Sequence, residues 1–138
     1  MTTQSNPPKS PWNHWVILAL CSGLFAAMNG VFAKLTTSDK TTTAIIPLPE
    51  NRFLELVVRA IFLGLNVTSN IAMWALFTRA LTASPSTTKV SITNTSANFV
   101  ATALLGWAVF SERLPGTWWL GAALMAGGCV LVGMREGA

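Results

Sequence analysis

The sequence predicts an all-α protein, an integral membrane bundle of four transmembrane helices. Three observations lead there. The 138 residues are 51% hydrophobic and only 10% charged, against roughly 25% charged in an average soluble domain, and mean hydropathy is +0.51. Four runs, Val16–Ala33, Ala60–Thr78, Val90–Ser111 and Leu114–Met134, contain no Asp, Glu, Lys or Arg. Each holds about 18 to 22 residues, or about 27 to 33 Å of helix. That matches a hydrocarbon core about 30 Å thick, in which a backbone has to satisfy its own hydrogen bonds. The tryptophans supply the third observation. Trp12, Trp15 and Trp74 fall at one set of run ends, and Trp107, Trp118 and Trp119 at the other. Amphipathic rings prefer such positions at a membrane–water interface.

Taken in order, residues 1–14 are polar and Pro-rich, and "MTTQSNPPKSP" is expected to be a disordered tail. The four-helix transmembrane domain is expected over residues 15–135. The first run lacks a clear small-x-small cleavage site and stays apolar to Ala33, which argues for a retained helix over a signal peptide. A loop is expected at 36–49, where "TTT" and "PLP" resist regular structure. Pro49 suits the first turn of a second helix starting near it, and Glu55 and Arg59 stand at i,i+4 spacing for an ion pair. "RALTASPSTTK" and "ERLPGT" are short connections, so successive helices should run antiparallel. Lys9, Arg79, Lys89 and Arg135 lie on the N-terminal side, and Lys34, Lys40, Arg52, Arg59 and Arg113 on the other. Orientation follows a Lys/Arg bias, and here there is almost none. Either one orientation wins weakly or the protein inserts both ways up.

The formal charge of +4 does not indicate nucleic acid, because the basic residues form no stripe. On an apolar chain it fits contact with the anionic headgroups of a lipid bilayer. Cys21 and Cys129 sit inside apolar runs without CxxC or Cys/His spacing, so no metal and no cofactor is implied. No Ser/His/Asp set, paired acids or phosphate loop is visible, so an enzyme is not expected.

Polar residues inside the runs carry the functional question. Ser91, Asn94, Asn98 and Thr102 are spaced i, i+3, i+7 and i+11 and share one helical face. Asn66 and Asn70 share a face on the second run, and Ser22 and Asn29 on the first. Such faces are penalised against lipid and should turn inward. Two readings stand. The amides and hydroxyls can be interhelical glue, or they can line a cavity for a small polar solute. On the second reading the substrate-binding candidates are Asn29, Asn66, Asn70, Ser91, Asn94 and Asn98. "NVT" at Asn66 and "NTS" at Asn94 match glycosylation sequons but lie within predicted spans. The spans carry no carboxylate for a proton relay. The fourth run bears Gly121, Gly127, Gly128 and Gly133, small residues that suit tight packing in the bundle or a dimer seam.

The segment from "MWALFTRAL" to "WWLGAALMAGGCVLVG", residues 73–133, resembles the drug/metabolite transporter superfamily. Trp74, Ala80, Leu81, Pro85, Gly106, Phe110, Glu112, Leu114, Trp119, Gly121, Gly128 and Leu131 carry the resemblance. "FAKL", "NIAMWALFTRAL" and "LLGWAVFSE…WWLG" are most similar to the transmembrane protein 42 family. The four-helix size is also similar to small multidrug resistance transporters, which act as antiparallel dimers. Their membrane-embedded Glu has no counterpart in this first run, so the resemblance implies no proton/drug antiport. It implies a multi-pass protein, an endomembrane location and a homodimer. Glu112 matches the superfamily's acid after the third helix, and a structural role at a helix end is expected for it. The implied function is a transporter or facilitator of a small polar solute. The alternative is a non-transporting structural or assembly protein that kept the fold.

Overall fold

In the computed structural model, residues 14–38 and 51–137 are described. They form four helices and no strand: α1 (His14–Thr37), α2 (Arg52–Ala83), α3 (Thr87–Phe110) and α4 (Gly116–Gly137). The tail before residue 14, most of the expected 36–49 loop, and Pro49 lie outside the described residues. Within that loop, Thr36 and Thr37 still belong to α1. Their hydroxyls donate to the carbonyls of Phe32 and Ala33 at 2.8 and 3.0 Å.

Local chemistry sets the helix ends. α2 starts where Asn51, in extended conformation, accepts the Phe53 N–H at 3.1 Å. An asparagine N-cap of this kind satisfies one otherwise orphaned donor. Arg59 then donates to Glu55 at 2.8 Å, the i,i+4 pair expected from the spacing. Pro85 follows the end of α2. Ser86 caps α3 by accepting the Lys89 N–H at 3.3 Å. α3 ends at Ser111, which is left-handed at φ 51°, and the Glu112 N–H reaches back to the Gly106 carbonyl at 3.2 Å.

α1 is the central helix. It packs along both α2 and α3, which touch each other only lightly, and the main partner of α4 is α3. α1 and α2 run antiparallel, since Ser22 meets Met73 while Asn29 meets Asn66. α1 and α3 run parallel: Gly23 faces Asn94 to Asn98, and Lys34 faces Glu112. A small core of Ala19, Ala80 and Val90 sits at one end, surrounded by Trp15, Leu18, Phe77 and Leu81. Apart from Val90 and Leu35 the buried residues are small (Ala19, Ser22, Ala27, Ser69, Ala80, Ala101), whereas Phe53, Leu56, Ile71, Trp107, Leu124 and Leu131 are exposed. α1 and α2 are each long and apolar enough to cross a membrane.

Candidate functional site

Two polar clasps hold α1 to α2. The Ser22 hydroxyl, fully buried, donates to the Met73 carbonyl at 2.9 Å. The Asn66 amide donates to the Asn29 backbone carbonyl at 2.9 Å and also to the Asn29 side-chain oxygen. These residues stand on adjacent helices at matching depth, so the Ser22 and Asn66 donors are met by acceptors across the seam.

The α1–α3 seam works by absence of bulk. A Cβ placed on Gly23 would lie 2.6 Å from the Asn94 carbonyl oxygen, 2.7 Å from the Ala97 Cβ and 2.9 Å from the Asn98 nitrogen. Ala19 and Ala27, each one helical turn away, are also buried. This is a small-xxx-small face that brings two backbones into contact. The expectations drawn from sequence do not include it, although small residues four apart at positions 19, 23 and 27 signal it. The Asn94 side-chain oxygen is buried, with no hydrogen-bond partner among the described residues.

At the far end of α1, the Lys34 ammonium pairs with the Glu112 carboxylate and sits 4.3 Å from the Phe110 ring centroid. This pair fastens the α3–α4 link to α1. Arg113, next to it, makes no ion pair among the described residues.

α3 and α4 enclose a groove of about 630 Å³. Thr95, Asn98 and Thr102 line one wall, with Phe99, Trp118 and Met125 opposite or beside them, and Glu112 and Arg113 at the link. The Thr102 hydroxyl donates to the Asn98 side-chain oxygen at 3.1 Å, which fixes the amide. The Phe99 and Trp118 rings stack at 4.9 Å between centroids and tie α3 to α4. Outside the groove's lining, Ser96 of α3 and Cys129 of α4 approach to 3.6 Å. The groove therefore offers an amide, hydroxyls and aromatic faces in a volume typical of small-molecule sites, roughly 300–1,000 Å³.

The six candidate residues fall at separate places. Asn29 and Asn66 hold each other, and Asn94 lies at the α1–α3 seam. Asn98 opens to the α3–α4 groove, Asn70 is half-buried on α2 and Ser91 is exposed. Among the described residues no three His, Cys, Asp or Glu gather as a metal site would require. No protein-family model matches the chain. No solved structure matches it. On α4, a Cβ on Gly121, Gly127 or Gly128 would meet nothing within 4 Å.

Proposed function

We propose that this is a small multi-pass membrane protein of the drug/metabolite transporter superfamily, similar to the transmembrane protein 42 family. It binds a small polar solute in the α3–α4 groove and lets it pass. The membrane part of the reading rests on the inside-out distribution of side chains. On α1, α2 and α3 the buried residues are mostly small, and on all four helices large apolar side chains face outward, as suits a lipid solvent in which close backbone packing holds helices together. α3 and α4, at 24 and 22 residues, reach about 36 and 33 Å, which by length matches a core of about 30 Å, the apolar part of α4 being the shorter Gly116–Val132. The binding part rests on Asn98. It is the one candidate amide that, with Thr95 and Thr102, lines an open groove of small-molecule size. Asn29 and Asn66 instead serve as glue between helices.

The alternative, a structural or assembly protein, draws on those same clasps: much of the polar content already works inside the chain. A thermal-shift screen of the purified protein against a metabolite library separates the two. A solute at a hundred times its Kd stabilises by about 2.7 kcal/mol. That gain should vanish in Asn98→Leu while the variant stays folded. If every stabilising compound acts equally on Asn98→Leu, the groove is not the site.

The open Gly121, Gly127 and Gly128 on the lightly packed α4 support a homodimer in which a second copy closes the groove. Gly128→Leu should then weaken cross-linked dimers in mild detergent; undiminished cross-linking would remove α4 from the seam.

A further inference from the structure

On the opposite side of the Phe99–Trp118 stack lies a second trough, of about 420 Å³ and with no polar surface. Phe99, Val100, Leu104, Trp107, Trp119 and Ala122 line it. From Phe99 to Trp107 it follows α3 for about 12 Å at 1.5 Å per residue. That is most of the roughly 15 Å hydrocarbon depth of one leaflet, half of about 30 Å. Leu114 lines both this trough and the polar groove, and Arg113, its chain neighbour, lines the groove beside it.

Two carboxylates, Glu55 and Glu112, are described at this end. Glu112 is taken by Lys34, and Glu55 by Arg59. No described carboxylate answers Arg113. The elbow therefore sets a guanidinium with no ion-pair partner among the described residues on one side of Leu114 and an apolar channel on the other. Guanidinium binds phosphate oxygens in a bidentate fork, and the exposed Trp107 and Trp119 (65% and 62%) suit the headgroup level.

We propose that this elbow is a site for one anionic phospholipid, with its phosphate on Arg113 and one acyl chain in the Trp107–Trp119 trough. The proposal rests on the membrane reading above.

The test uses the full chain in dodecyl maltoside micelles, titrated with phosphatidylserine or phosphatidylcholine carrying dibrominated acyl chains, which quench nearby tryptophan fluorescence. Trp107→Phe and Trp119→Phe assign the quenched signal. The serine lipid should reach half-quenching at about fivefold lower mole fraction, the equivalent of about 1 kcal/mol per basic residue near an anionic surface. Arg113→Gln should erase the preference and Arg113→Lys should keep most of it. Ala122→Phe, which fills the trough, should reduce quenching by both lipids. A preference unchanged in Arg113→Gln, quenching unchanged in Ala122→Phe, or displacement by inorganic phosphate alone would overturn the site. Alkaline carbonate washing of membranes checks the reading beneath it. Release into the wash would overturn the membrane reading and this site together. A protein retained in the pellet that shows no anionic preference would overturn this site alone.

Discussion

Replacing Gly23 with alanine isolates what holds α1 to α3. In a helix interior Gly→Ala ordinarily gains about 0.8–1.0 kcal/mol from propensity. At Gly23 the added methyl meets Asn94 O at 2.6 Å, Ala97 Cβ at 2.7 Å and Asn98 N at 2.9 Å. Two of these are backbone atoms and cannot turn aside. Comfortable contact between carbons needs about 3.5–4.0 Å, so the helices must part by about 1 Å. Forced overpacking costs about 1–3 kcal/mol, and three simultaneous clashes place this site toward the upper end. After the propensity gain, the net loss should be about 1–2 kcal/mol. Gly30 and Gly64 provide the controls, since a Cβ there meets nothing within 4 Å. Gly30→Ala and Gly64→Ala should leave stability unchanged or raise it by up to about 1 kcal/mol. The assay is unfolding of the purified protein in mixed micelles by increasing dodecyl sulfate, followed by circular dichroism. If Gly23→Ala unfolds at or above the wild-type midpoint, in step with the controls, the seam is not in backbone contact and the reasoning fails. Because Asn98 N is among the atoms displaced, the same variant should also weaken any solute response of the α3–α4 groove.

Three further outcomes follow from the geometry. A double-mutant cycle of Asn29→Ala and Asn66→Ala should give a coupling of about 0.6 kcal/mol, the average for hydrogen bonds between membrane helices, and no more than about 1.7; strict additivity would mean that the side-chain bond contributes nothing, the bond to the Asn29 backbone carbonyl being kept in Asn29→Ala. Lys34 and Glu112 are half exposed, at 39% and 51% of their side chains, so breaking the pair with Glu112→Lys should cost no more than about 1 kcal/mol. The swapped double variant Lys34→Glu/Glu112→Lys should recover most of that, and a swap no better than the single variant would count against the pair. With Cys21 and Cys129 replaced by alanine, single cysteines at positions 3 and 137 should both label from one side of sealed vesicles; labelling from opposite sides would rule out an even number of spans.

The sequence by itself determined the helical class and, among the described residues, the number of helices and roughly where each lies. Charge-free runs and turn residues are local signals. Ser86 and Pro85 mark a boundary wherever the helices come to lie, and Glu55 and Arg59 meet because i,i+4 positions on one helix are always neighbours. The start of α2 is local too, but it depended on Asn51, whose side chain caps Phe53.

The sequence also showed which faces were polar, but not what those faces meet. Helical periodicity describes one helix at a time, whereas a partner is set by which helices are adjacent and at what depth. Only the tertiary structure decided that α1 lies between α2 and α3. That placement sends Asn29 to Asn66, 37 residues away, and Lys34 to Glu112, 78 residues away. It separates Asn98, open to the α3–α4 groove, from Asn94 at the α1–α3 seam, although both share one stripe. It also gives Gly23 a role that the more numerous glycines of α4 lack within the chain, because a missing side chain matters only where another backbone comes close enough to use the space.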